Sequence, residues 1–237
     1  MNTKMTTLAA AVLMTASPLA ISTAAAEVTL SGNVALTTDY VYRGVSQTDS
    51  GPAIQGGFDL EHSSGFYAGI WASNLDFGDD ADIEIDYYAG FGGEFSNNIG
   101  YDVGVIYYAY PDSDAADAGD YDFTEVYGSL SYDFGPAALT GGLAFSSDFF
   151  GGTDDATYAY VDVDVPLPSD FSLGLHYGDQ SIDQGTDYND WKIGLSKSWN
   201  GFDFALDYTD TDLNDRTDCG DANICDDRVI FTVSKSL

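Results

Sequence analysis

From Val28 to the last residue, apolar and polar side chains take turns along the chain. Val28, Leu30, Val34, Leu36, Tyr40 and Tyr42 share one parity, and Thr29, Ser31, Asn33, Thr37, Asp39 and Arg43 the other. Ile83, Ile85, Tyr87 and Phe91 alternate with Glu84, Asp86, Tyr88 and Glu94; Val161, Val163 and Val165 alternate with Asp162 and Asp164. A period of two is the mark of a strand with two different faces, and no sustained helical period competes with it. The spacing predicts twelve strands, at 28–43, 53–62, 66–75, 83–96, 99–110, 123–134, 138–147, 157–165, 171–178, 191–199, 202–208 and 228–237.

The connections between these segments carry the stronger constraint. Short ones (63–65, 97–98, 135–137, 166–170 and Asn200-Gly201) alternate strictly with long ones (44–52, 76–82, 111–122, 148–156, 179–190 and 209–227). A barrel that crosses a membrane has tight turns on one rim and long loops on the other. A soluble sandwich with one wet face per sheet also shows period two, but has no reason to sort loop length by parity. Aromatic residues near strand ends, Tyr40, Tyr42, Trp191, Trp199 and Phe202, read as girdles at the two membrane interfaces. The expectation is an all-β, antiparallel transmembrane β-barrel of about 12 strands.

Residues 1–26 read as a secretory signal peptide, with 27–237 as the barrel. Lys4 is the only charge in the leader, Leu8 to Ala16 is a short apolar run, and Ala24-Ala25-Ala26 offers a cleavage site. That run is too short for a membrane helix, which needs about 20 residues. Charge comes in here: 39 acidic residues against 7 basic give a net −32. Such a chain repels nucleic acid phosphates. Of the 39 acids, 24 fall in the six long loops, where water and counter-ions screen them.

Thr38-Asp39-Tyr40-Val41-Tyr42-Arg43-Gly44-Val45-Ser46-Gln47-Thr48 and the following Pro52 to Asp59 resemble the opening of TorF-family porins. Gly65 to Asn74, Glu84 to Gly90 and Val229 to Leu237 are also similar, so the likeness covers most of the chain after residue 26. The resemblance implies an outer-membrane location and a pore. Leu237 stands where many outer-membrane barrels end in an aromatic residue, although Val229, Phe231 and Val233 keep the alternation.

With the apolar face towards lipid, the polar face lines a lumen. The expected pore-lining residues are Asp39, Arg43, Glu84, Asp86, Glu125, Asp162, Asp164, Lys192, Asp207 and Arg228; Asp59, Glu61 and Asp203 share that face. In a closed barrel Arg43 and Arg228 meet near the long-loop mouth, with Glu125 roughly opposite. Two readings are open: opposed charges that select solutes at a constriction, or charges that pair and fill the interior.

Chemistry has little to stand on. His62-Ser63-Ser64 puts a histidine near serines without an orienting acid, and His176 sits on a strand as a neutral lumenal hydrogen-bonding residue. Asp210, Asp212, Asn214, Asp215, Asp218 and Asp221 lack the glycine and closing glutamate of a calcium loop, which favours a solvated acidic loop. No metal or cofactor is expected. Cys219 and Cys225 read as a disulfide in an exported protein or as two thiolates on a metal; no third soft ligand is near.

The function expected is passive diffusion of small polar solutes, with cations preferred. The alternatives are a plugged barrel with a structural or loop-binding role, or an outer-membrane enzyme. The expected partners are outer-membrane lipid and lipopolysaccharide, the barrel assembly machinery during insertion, and the solutes themselves. Non-reducing mass mapping of the exported protein is expected to find Cys219 joined to Cys225; free thiols at both would count against the disulfide and the exported compartment.

Overall fold

The computed structural model describes residues 28–95, 98–111, 113, 121–214, 216–220 and 223–237. The proposed leader, the Asn97 turn, most of the 111–122 loop, Asp215 and Asp221 lie outside them. The strands are β1 (Val28–Thr37), β2 (Val41–Tyr42), β3 (Val45–Ser46), β4 (Ala53–His62), β5 (Phe66–Asn74), β6 (Ile83–Glu94) and β7 (Ile99–Ala109). They continue with β8 (Phe123–Asp133), β9 (Ala138–Ser146), β10 (Ala156–Leu167), β11 (Phe171–Ile182), β12 (Tyr188–Trp199), β13 (Phe202–Thr211) and β14 (Arg228–Ser236). All but β2 and β3 form one closed antiparallel barrel, in which each strand pairs with its neighbours in sequence and β1 pairs with β14.

The alternation decides which way each side chain points. Leu36, Ile54, Phe58, Val126, Leu143, Val229 and their like stand exposed on the outside, while Ser31, Thr37, Glu84, Asp86, Glu125, Thr140 and Asp190 are buried within. An apolar outside around a polar inside reverses the arrangement of a soluble domain, and hydrocarbon is the solvent that suits it. The short connections run two to four residues and the long ones five to sixteen, each set on its own rim. At Asn200-Gly201 both residues have positive φ, 52° and 75°, as a two-residue type I′ hairpin requires.

Four strand ends differ by more than two residues from those expected. The first barrel strand stops at Thr37, not at 43. Strands β11 and β12 run on to Ile182 and from Tyr188, so the supposed loop 179–190 shrinks to 183–187. Likewise β13 reaches Thr211. In the last three cases the polar residues at the rim still pair in register (Gln180 with Tyr188, Asp190 with Thr211).

The first difference matters most. Residues 38–52 leave the wall and fold into the lumen, where β2 and β3 make a small separate hairpin. Tyr40 and Tyr42 are therefore not membrane-girdle residues: Tyr40 packs edge-on to Trp71, and Tyr42 to Tyr108, both inside the barrel. Trp199 and Phe202 do stand exposed on the outside. Single cysteines placed at Asp80 and Gly185 are expected to react with an impermeant maleimide on intact cells, and those at Ala137 and Asn200 to stay unlabelled. Equal labelling of both pairs would sink the two-rim arrangement.

Candidate functional site

The inward hairpin turns at Arg43 and Gly44, with φ of 46° and 82°. This is again a type I′ turn, but with arginine where asparagine, aspartate or glycine is usual. A positive φ at a non-glycine residue costs of order 1–3 kcal/mol and persists only where the surroundings hold it. Here they do. A side chain at Gly44 would collide with Thr211 and come within 2.9 Å of Asp190 Cβ, so the tip sits hard against β12 and β13.

Arg43 reaches the opposite side. Its Nη2 donates to both oxygens of Glu125 on β8, at 2.8 and 2.7 Å, and its Nη1 to Gln180 Oε1 on β11 at 2.6 Å. The guanidinium carbon lies 4.6 Å from the Tyr42 ring centroid and 4.1 Å from that of Tyr158. Tyr42 and Tyr108 also donate to Glu125, at 3.4 and 3.2 Å. The side chains of the ion pair are only 8% and 3% exposed.

The base of the hairpin is held as firmly. Asp39 accepts from Arg228 on β14 at 2.6 Å, and from Ser46 and Thr48 at 2.7 and 2.9 Å. Tyr40 donates to Glu84 on β6 at 2.8 Å. Beside the hairpin, the long loops supply an aromatic cap: Phe77, Tyr121, Phe149 and Phe150 pack on buried Leu75, Tyr108, Tyr110 and Phe123. Tyr121 and Phe150 stack with centroids 4.6 Å apart. The Tyr121 hydroxyl donates to Asp79, which pushes its pKa up to about 12.

Nearer the short-turn rim the lumen changes character. Asp164 and Lys192 point inward, yet both are exposed, so that part of the interior is wet. Asp162, His176 and Lys192 lie in one row across β10, β11 and β12. His176 bridges carboxylates, with Nδ1 2.6 Å from Asp162 and Nε2 3.1 Å from Asp190; Tyr158 donates to Asp190 at 2.9 Å. One step along, Asp207 and Asp164 face glycines of β12 and β11. On the other wall Tyr67 donates to Asp102 at 2.8 Å, and Tyr88 to Asp59. The Tyr67 and Tyr88 rings cover Gly90 and Gly69, where any side chain would collide with them.

All ten expected lining residues thus lie on the inward side, although Arg43 and Asp39 get there on the hairpin and not on a strand. Arg43 is not beside Arg228: it faces Glu125 directly, and Arg228 faces Asp39. Sequence reasoning missed Asp102, Gln180, Asp190, Tyr67, Tyr108 and Tyr158, whereas Tyr88 has the polar parity expected of it. Asp102 kept the inward parity of Gly100 and Gly104; Gln180 and Asp190 were lost by assigning their stretch to a loop. Asp86 keeps one oxygen, and Trp71 opposite it keeps its ring N–H, buried without a protein partner among the described residues.

Elsewhere the structure holds less. His62 Nδ1 lies 2.6 Å from Ser64 Oγ in an exposed turn, without a carboxylate on the ring among the described residues. Asp212 accepts from the backbone and side-chain amides of Asn189, which hold its carboxyl below the usual range, and Asp218 accepts from Asn214. Asp212 is thus spent on β12, and Asp218 on the loop's own backbone. Cys219 and Cys225 are bonded, with Cα atoms 6.4 Å apart.

A closed antiparallel barrel with an apolar outside and a charged, partly wet interior defines the porin-like class of folds. The chain belongs to the family described as "Bacterial protein of unknown function (Gcw_chp)", whose model matches residues 21–237. No curated protein matches the sequence. Among solved structures, the KdgM porin in complex with disordered oligogalacturonate is similar over 87% of this chain and 99% of its own, with a TM-score of 0.61 at 8% identity. The NanC porin is similar over 86% and 97%, with a TM-score of 0.54 at 9% identity. At such identities the likeness is one of fold.

Replacing Glu125 with glutamine would leave Arg43 buried without a counter-charge, a change that costs about 3–5 kcal/mol. The double variant Arg43→Gln/Glu125→Gln is expected to cost clearly less than the sum of the two single changes. Urea unfolding of the four proteins in lipid measures this coupling, and additive losses would show that the pair contributes nothing as a pair.

Proposed function

We propose that this protein is an outer-membrane channel, reached by export with a cleaved leader, through which small polar solutes diffuse with cations preferred. The observation that carries the reading is the inside-out distribution of polarity on a closed wall: apolar residues outside, and inside a set of carboxylates that outnumbers the bases. Asp39, Glu84, Asp86, Glu125, Asp162, Asp164, Asp190 and Asp207 oppose Arg43, Lys192 and Arg228. The surplus negative potential draws a cation in and repels an anion. The likeness of residues 38–59 to TorF-family porins agrees with this reading. In this reading the long-loop rim faces outward beside lipopolysaccharide, and the tight turns face the periplasm.

The KdgM structure holds an oligogalacturonate, a polyanion. The interior described here is the wrong sign for such a ligand, so the shared fold does not carry a shared substrate. A second reading has its own support: the hairpin and the aromatic cap fill the long-loop half of the lumen, as a plugged barrel with a loop-mediated role requires.

Reversal potential under a KCl gradient in planar bilayers separates these. The wild type is expected to prefer potassium, less so at higher salt, because screening limits the field to about 8–10 Å at ordinary ionic strength. Replacing Arg43 and Arg228 together with glutamine is expected to raise the preference, and neutralising Glu84, Asp86 and Glu125 together to lower it. Chloride preference in the wild type would overturn the assignment of charge to the path, and an absence of current in every variant would establish the plug.

A further inference from the structure

We propose that Glu125, Gln180, Tyr108 and Tyr158 form a guanidinium-binding site in the barrel wall, which the hairpin's own Arg43 fills at rest. In this proposal the solutes for which the lumen has affinity are small cations bearing a guanidinium group, which compete with Arg43 when the hairpin lifts. For transport, though not for binding, the inference rests on the channel reading above.

The contacts divide in a telling way. Every group that holds the Arg43 guanidinium, apart from the ring of its neighbour Tyr42, belongs to the barrel: Glu125 to β8, Tyr158 to β10 and Gln180 to β11. The site is therefore not made by the loop that fills it. Its shape is that of a receptor for a flat, delocalised cation. The carboxylate takes one terminal nitrogen at 2.7 Å, the amide oxygen takes the other at 2.6 Å, and a tyrosine ring lies 4.1 Å from the central carbon. Two acceptors for two nitrogens of one plane, with an aromatic face against it, suit a guanidinium; a compact ammonium offers no such fork.

The wall groups are also prepared in advance. The Gln180 side-chain amide donates to the wall's own backbone, to Thr157 O at 3.5 Å and Ser181 O at 3.4 Å. Tyr108 donates to Glu125, and Tyr158 is fixed by Asp190 and His176. With Arg43 gone, Glu125 would be a buried carboxylate without a cation, the condition in which a free guanidinium gains most by entering.

The occupant comes from a segment that is not part of the wall, although Ser46 N donates to Ile224 O and Asp76 N to Gln47 O, both at 2.8 Å. The β2–β3 hairpin pairs only Val41 with Ser46 and Tyr42 with Val45, and it lies outside the barrel sheet. Polar contacts tie its base, through Asp39 to Arg228 and through Tyr40 to Glu84. Because Arg43 is tethered, it competes at a high effective concentration, so a free ligand must either be abundant or meet a lifted hairpin.

The test uses the whole barrel, wild type and Arg43→Ala, with methylguanidinium as probe and methylammonium as control. At low millimolar concentration methylguanidinium is expected to raise the Tm of Arg43→Ala by about 2–4 °C. It should leave the wild type and Arg43→Ala/Glu125→Gln unmoved. No shift in Arg43→Ala, an equal shift with methylammonium, or the same shift in either of the other proteins overturns the site. If Arg43→Ala does not fold unaided, the yield of folded barrel on refolding with each probe becomes the readout, and failure of methylguanidinium to restore it overturns the site equally.

In planar bilayers methylguanidinium is expected to block current through Arg43→Ala at about tenfold lower concentration than methylammonium, a factor that corresponds to 1.4 kcal/mol. A Tm shift without current in any protein leaves the binding site standing and removes the channel. A shift with current but without block shows that the site lies off the permeation path, which overturns the inference about solutes. Current with neither shift nor block keeps the channel and overturns the site.

Discussion

The pairing of β1 with β14 is the contact on which everything else depends. Without it two strand edges would present unpaired amides and carbonyls to hydrocarbon, at several kcal/mol for each group left unsatisfied. The seam is made from Asn33 to Thr37 against Thr232 to Ser236. Side chains and chain ends extend it: Thr38 donates from its backbone to Phe231 O at 3.0 Å, Phe231 N donates back to Thr38 Oγ1 at 3.0 Å, and Leu237 N donates to Gly32 O at 2.8 Å. An even number of strands is needed for this closure to be antiparallel, which the twelve wall strands satisfy. The seam also determines where the chain leaves the wall, since the last pair, Thr37 with Thr232, lies just before the turn inward.

Closure creates a space whose solvent differs from the one outside, and the inward hairpin is what the sequence puts there. Its arginine and aspartate are neutralised one by one by wall residues, Glu125 and Arg228, so the hairpin arrives with its charges answered. Burial of both members of each pair is costly in itself, and the geometry makes it tolerable: Glu125 receives Arg43 and two tyrosine hydroxyls, and Asp39 receives Arg228 and two alcohols. A pair of this kind specifies a position more than it stabilises a fold. That is the role it has here, because the hairpin shares no ladder with the barrel that would otherwise fix its height.

Strand number, strand direction and the two rims were legible in the residues because lipid and lumen enforce one parity over long stretches. Val161, Val163 and Val165 against Asp162 and Asp164 leave no second register. The hairpin was not legible, and the reason is specific. Tyr40 and Tyr42 hold the same parity whether they face lipid on a continuing strand or aromatic partners inside, so alternation cannot separate the two. Arg43-Gly44 does carry a turn signal, but a weak one, since arginine is a poor occupant of a left-handed turn position until Glu125 and Gln180 hold it. Those partners are more than 80 residues away, beyond what any local pattern reaches. Asp190 and Gln180 were missed for the opposite reason: acidic and polar rim residues look like loop, yet they stay in the ladder where they have lumenal partners.

The distribution of the acids finally explains why a chain with so few bases can sustain such a lumen. Of the described bases, Arg216 lies exposed in the last long loop, and Lys197 and Lys235 lie over Phe171 and Phe202 near the short-turn rim, on the outward face. That leaves Arg43, Lys192, Arg228 and the bridging His176 for the interior. Carboxylates beyond their reach lean on neutral donors instead, Tyr40 for Glu84, Tyr67 for Asp102 and Tyr88 for Asp59. A phenol hydroxyl satisfies a carboxylate oxygen without cancelling its charge. The tyrosines therefore pack the wall without answering its carboxylates with positive charge, as arginines in the same places would. Tyrosine at these positions completes the hydrogen bonding of the wall carboxylates without adding a base to the lumen.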